Sequence, residues 1–139
     1  MAQSIRSVMT VKPLALQAGT TLVEAARAMR DHDVGDVLVL DDDQLKGIVT
    51  DRDIAIRGVA DGRDPSKTVL AEICSAETVT VTPDDDVDRA AELMRTAAVR
   101  RLPVVEQGRP VGIVSLGDLA VERDPASALA AISAADPNR

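Results

Sequence analysis

The sequence predicts an α+β (α/β) fold of two β-α-β-β-α repeats related by a pseudo-twofold, with sheets packed face to face and helices outside. Three observations carry that prediction. Shifted by 65 residues, positions 9–55 align with 74–120 without a gap, through identical pairs such as Ala25/Ala90, Met29/Met94, Val39/Val104, Gly47/Gly112 and Asp53/Asp118. The hydrophobic period switches in the same order in each copy. With 139 residues, two halves of about 65 would each be marginal alone, so they are expected to share burial.

A short strand is expected around 14–16, with a twin at 79–81. Leu22, Ala25, Ala26 and Met29, like Val87, Ala90, Ala91 and Met94, then fall at i, i+3, i+4, i+7, the apolar stripe of a helix. Thr20-Thr21 and the run 82–86 (Thr-Pro-Asp-Asp-Asp) supply capping oxygens and negative charge at the helix starts. Apolar runs at 37–40 and 45–49, separated by Asp41-Asp42-Asp43-Gln44, read as a hairpin, and 102–105 and 110–114 repeat it. Second helices are expected over 51–59 and 116–123. One sheet face, with Val39, Ile48, Val104 and Ile113, is expected to need a cover. Residues 61–68, polar with Gly and Pro, read as an exposed linker. The expected divisions are repeat 1 at 1–62, linker and lead-in at 63–72, repeat 2 at 73–123 and an Ala-rich helix and tail at 124–139.

Composition removes several functions. The chain is 45% apolar and 28% charged with a formal net charge of -7, and has no Phe, Tyr or Trp. Base-stacking platforms and a basic field for phosphate backbones are both missing, so nucleic acid is not an expected partner. One Cys (Cys74) and one His (His32) are too few for a Cys/His zinc site and nearly preclude triad chemistry, so no metal and no catalytic residues are assigned. A single Cys closes no intrachain disulfide, and the chain shows no signal-like or spanning apolar run, so a cytoplasmic protein away from membranes is expected.

The most pointed motif is the run 47–54 (Gly-Ile-Val-Thr-Asp-Arg-Asp-Ile), repeated at 112–119 as Gly-Ile-Val-Ser-Leu-Gly-Asp-Leu. A hydroxyl ends a strand, and three residues later a carboxylate lies in the first turn of a helix. That spacing makes Thr50/Asp53 and Ser115/Asp118 helix caps. The same geometry suits a nucleotide, because a helix N-terminus offers N–H groups to an anion and a carboxylate accepts from a ribose diol. Both readings stand at this point.

These motifs, together with Arg101-Leu102-Pro103-Val104-Val105 before the second one and Val8-Met9-Thr10 ahead of the first repeat, resemble the CBS domain in tandem, the Bateman module. The likeness covers residues 5–123 and is strongest to small stand-alone bacterial two-CBS proteins of the hypoxic response protein 1 type. It implies a non-catalytic sensor that binds an adenosine ligand (AMP, ADP, ATP or S-adenosylmethionine) in clefts between repeats. It also implies a disc-like homodimer. Carried onto this chain, it implies a stronger site of Ser115, Asp118, Arg100, Arg101 and Ile113 with Thr10, Lys12 and Leu14. A weaker one comprises Thr50, Asp53, Arg52 and Ile48 with Ser75 and Val79. The asymmetry arises because Gly35-Asp36 stands where copy two has Arg100-Arg101, and Asp36 repels phosphate.

No cofactor is expected beyond the regulatory nucleotide, with Mg²⁺ only alongside ATP. The response is expected to pass to a separate effector protein or to be carried by the dimer. The alternative is a ligand-free structural or protein-interaction dimer with a stress-related role. His32 reads as a solvated helix end, Asp41-Asp42-Asp43 as a solvated turn, and Cys74, in the slot of Met9, as a small half-buried side chain.

Overall fold

A computed structural model describes residues 3–75 and 79–123. The expected tail helix at 124–139 lies outside the described residues. In chain order the elements are a 3₁₀ turn (Ile5–Ser7), β1 (Thr10–Val11), β2 (Ala15–Gln17), α1 (Leu22–His32), β3 (Asp36–Asp41) and β4 (Gln44–Thr50). There follow α2 (Asp51–Asp53), a π-helical segment (Ile54–Val59), α3 (Leu70–Ile73), α4 (Val87–Ala97), β5 (Arg101–Glu106), β6 (Arg109–Ser115) and α5 (Leu116–Arg123).

The chain forms two compact units that do not follow the linear order of the repeats. One is continuous, Pro13–Thr78; the other joins Met1–Lys12 to the chain from Val79 onward. In the continuous unit β2 pairs parallel with β3, and β3 antiparallel with β4. Val37, Val39 and Val49 meet Leu22, Ala25 and Met29 of α1 in a core closed by Leu70 and Ile73. In the discontinuous unit β6 lies between β1 and β5. Leu102, Val104 and Val114 meet Val87, Ala90 and Met94, and the core is closed by Ile5.

Closure follows one rule in both units. The N–H of Leu22 donates to the carbonyl of Thr68 and that of Leu70 to Thr20; 65 residues on, Val87 donates to Gln3 and Ile5 to Asp85. Each repeat's lead-in therefore seals the other repeat's core. The expected linker at 61–68 is exposed from 61 to 67 and tied in at its end: Thr68 is buried, and the carbonyl of Pro65 accepts from the N–H of Val23 at the start of α1.

The capping expectations hold. Thr21 and Glu24 form a reciprocal capping box on α1, and Asp86 caps α4 by accepting from the N–H of Asp88. The duplication extends to the backbone: Asp33 and Ala98 end the first helices in the left-handed region, and Asp42 and Gln107 adopt it in the hairpins.

Four expectations need correction. Val39 and Val104 lie on the helix side of their sheets, whereas Ile48 and Ile113 lie on the opposite face. Val39 stands opposite Gly47 and Leu38 opposite Ile48, so the two sets alternate across the pleat. Ala26 and Ala91 are exposed, because the buried stripe follows Leu22, Ala25 and Met29 and their twins. The helix expected at 51–59 changes character after Asp53, as Ala60 and Arg63 donate to carbonyls five residues back, at Ala55 and Gly58. The twin strand at 79–81 shrinks to one bridge, Val81 to Val104. Leu38 donates to the Leu14 carbonyl at 2.9 Å, but its counterpart is Pro103, which has no N–H to give.

Candidate functional site

The sheet registers decide what gathers at each motif. Ser115 ends β6 and stands opposite Arg101, the first residue of β5. Thr10 of β1 pairs with Ile113 on the other edge of β6, so Thr10, Arg101, Ile113, Ser115 and Asp118 belong to one unit. Lys12 ends the N-terminal segment of that unit, exposed and with φ 53°. β1 runs close to β6 because residue 112 is glycine: a Cβ there would meet the Thr10 carbonyl oxygen at 2.9 Å and Met9 Sδ at 2.8 Å.

Ser115 and Asp118 form a reciprocal cap. The Ser115 N–H donates to Asp118 Oδ2 at 2.8 Å, and the Asp118 N–H donates to Ser115 Oγ at 3.1 Å. The capping reading of the motif is thus realised. It also leaves functional capacity in place: the Ser115 hydroxyl is an acceptor here and keeps its proton to donate, and a carboxylate has acceptor sites beyond one N–H. Arg100 is exposed, and its carbonyl accepts from Leu116 at 2.8 Å, which fixes the strand-to-helix corner.

The continuous unit repeats the corner with different charges. Thr50 and Asp53 form the same cap, at 2.9 and 3.1 Å, and the N–H of Asp51 donates to the Gly35 carbonyl. Here Asp36, not an arginine, stands opposite the motif hydroxyl. The place of the second arginine is taken by Gly35, whose ideal Cβ would lie 3.1 Å from Asp51 Oδ2. Asp51 also accepts from the Arg52 N–H at 2.8 Å, so its carboxylate is held over this corner. The sequence reading passed over Asp51; the signal was an acid where the other copy has Leu116.

The remaining expected site residues are placed less compactly. Leu14 belongs to the continuous unit, packed against its core, and Val79 to the discontinuous unit, packed against the other. Ser75 and Arg52 are exposed, and Ile48 is half-buried. Cys74 is half-buried beside the core; burial pushes its thiol pKa up, with Lys46, Asp53 and Arg57 as the charged neighbours. A protonated thiol there is a packing group rather than a nucleophile. His32 is exposed and its Nδ1 lies 2.9 Å from the Ala28 carbonyl, as a helix end requires.

The model of the CBS domain matches this chain twice, at residues 5–58 and 70–123. The chain belongs to the CBS-domain family. Both matched segments begin at the residue, Ile5 or Leu70, that seals the opposite core. CBS domain-containing protein YhcV of Bacillus subtilis is 42% identical over 120 residues, 86% of this chain and 85% of that protein. Hypoxic response protein 1 of Mycobacterium tuberculosis is 40% identical over 101 residues, 72% of this chain and 71% of that protein. The crystal structure of Hypoxic Response Protein I with two coordinated zinc ions superposes with a TM-score of 0.79 at 35% identity, covering 86% of this chain and 98% of that one. The hexameric CBS-CP12 protein from bloom-forming cyanobacteria gives a TM-score of 0.78 at 28% identity, covering 89% and 74%. CBS pairs are, as a family, regulatory ligand-binding modules rather than enzymes. Among the described residues no helix is long and apolar enough to cross a membrane.

Proposed function

We propose that this CBS pair is a non-catalytic sensor of an adenosine nucleotide, working as a homodimer, with its stronger site at the β6–α5 corner. The observation that carries this reading is the shared position of Arg101, Ser115 and Asp118 at one strand end, beside Thr10. Arg101, with Arg100 next to it, supplies charge for phosphate, the Ser115 hydroxyl donates, and Asp118 accepts from the ribose diol. Binding one conformation better than another then shifts the population read by an effector protein. No further cofactor is needed; Mg²⁺ enters only with ATP.

Dimerisation is supported by exposed apolar side chains at equivalent places in the two repeats, Ile56 (49% exposed) and Val121 (39%), and by the hexameric relative. Two coordinated zinc ions are present in the crystal structure of Hypoxic Response Protein I. This chain has one Cys and one His, and among the described residues no group of three or more His, Cys, Asp or Glu gathers.

Isothermal titration of AMP, ADP, ATP and S-adenosylmethionine into wild type, Ser115→Ala, Asp118→Asn and Arg101→Ala is the test. Asp118→Asn keeps an acceptor for the Ser115 N–H, so a loss there reports ligand contact rather than unfolding. We expect saturable heat that weakens about tenfold or more in each variant, the size of one charged hydrogen bond. Silence for all four ligands at a folded protein would select the structural, ligand-free alternative.

A further inference from the structure

Met9 stands at the join between the N-terminal turn and strand β1, and we infer that it is an oxidation site: hydrogen peroxide converts it to the sulfoxide, and the sulfoxide releases β1 from β6.

Two observations single it out. The first is access. Met29 and Met94 are each 5% exposed, whereas Met9 is half-buried, packed against the core of the discontinuous unit and partly open to solvent. A thioether needs no deprotonation to react, so access decides which methionine is attacked. The second is what the sulfur touches. Residue 112 is glycine, and Met9 Sδ fills the space of the missing side chain, 2.8 Å from where a Cβ would stand; the Thr10 carbonyl oxygen lies 2.9 Å from the same point. The thioether is therefore seated on the backbone of β6 beside a carbonyl of β1.

The step is a two-electron oxygen transfer. The sulfur lone pair attacks one peroxide oxygen, the O–O bond breaks, an S–O bond forms, and the other oxygen leaves as water with the proton that the transferred oxygen gives up. Sulfur is oxidised and peroxide reduced. The sulfoxide oxygen is a polar acceptor placed where an apolar contact was. Facing a carbonyl oxygen and buried without a donor it is costly, so the side chain turns towards water. Thr10, next in the chain, moves with it. Strand β1 has little to resist this: it is two residues long, held by the pairs Thr10–Ile113 and Val11–Gly112, and Val11 is 59% exposed. On the other side the chain is anchored, because Ile5 is fully buried and its carbonyl accepts from the Met9 N–H at 2.9 Å. The opening is thereby confined to residues 9–12.

The full chain is treated with hydrogen peroxide, oxygen uptake at each methionine is followed by mass spectrometry of the digest, and amide exchange is read at Thr10, Val11 and Ile113 before and after. Cleavage after Arg6 and Lys12 isolates Met9. In the folded chain Met9 should oxidise about tenfold or more faster than Met29 and Met94, with the three rates converging in denaturant, and exchange in β1 should quicken about tenfold or more in the sulfoxide form. Reduction by a methionine sulfoxide reductase should restore the original exchange. Cys74 is the second half-buried sulfur, but it belongs to the other unit. Met9→Leu, close in volume and without sulfur, separates the two and should keep its β1 exchange under peroxide. Equal oxidation rates for the three methionines in the folded chain, unchanged β1 exchange in the sulfoxide, no recovery on reduction, or the same quickening in peroxide-treated Met9→Leu would each overturn the inference.

Discussion

Gly112→Ala tests the close approach of β1 to β6. The added methyl would lie 2.9 Å from the carbonyl oxygen of Thr10 and 2.8 Å from Met9 Sδ. Met9 has rotamers to spare, but the oxygen belongs to a two-residue strand held by the pairs Thr10–Ile113 and Val11–Gly112. To relieve the contact the strand must move and lose its pairing. Overpacking of this kind costs about 2–3 kcal/mol, and the smaller entropy of an unfolded Ala chain returns about 0.4–1 kcal/mol. The net loss of about 1–2.6 kcal/mol corresponds to a fall of about 3–9 °C in melting temperature for a chain of this size. Gly19→Ala, where nothing lies within 4 Å of the new methyl, is the control. Thermal melts by circular dichroism read the shift, and amide exchange at Thr10, Val11 and Ile113 reads its origin. A Gly112→Ala protein melting within about 1 °C of wild type with β1 still protected would refute the argument.

Two other perturbations follow from the packing and the caps. Ile5→Ala removes a side chain with 0% exposure from the core it seals and should cost about 2–5 kcal/mol in denaturant unfolding, whereas Arg6→Ala, one residue on, breaks only exposed ion pairs to Asp84 and Glu106 and should shift the transition far less. Glu24 bonds to the Thr21 hydroxyl and N–H, which lowers its pKa. Its contribution is therefore complete above the unfolded-state value and is lost as pH falls through the lowered folded-state value. Glu24→Gln should flatten the acid limb of a stability-versus-pH curve, and an unchanged limb would contradict the cap assignment.

Much of this was readable from residue order. The 65-residue echo carried the two α+β units, and Thr21, Asp86, Thr50 and Ser115 cap helices because hydroxyls and carboxylates at those spacings have few other uses. The pleat was harder. Val39 and Ile48 are both apolar and near one another in the hairpin, and only the bulge after Val39 fixes which of them faces the helix. Pro103 was visible, but its effect on the 79–81 strand depended on knowing that the partner is parallel and needs that N–H. At the site, the residues of each motif were legible as a local cap, whereas the opposition of Asp36 to Thr50 and of Arg101 to Ser115 is a register, which periodicity alone does not specify. Lead-in exchange left no local signature, since Ile5 and Leu70 would look equally at home in either repeat.

That exchange also orders the events of synthesis. Pro13–Thr78 is one continuous stretch and has all its own parts once Thr78 has left the ribosome. The unit that contains Ser115 does not: Ile5 and the strand at Thr10–Val11 emerge first and wait for β6 more than a hundred residues later, which at about 5–20 residues per second is a delay of several seconds or longer. During that interval a buried isoleucine and a strand edge stand exposed on the nascent chain. The half of the molecule that carries the arginine corner is therefore the half born last and most dependent on the first dozen residues.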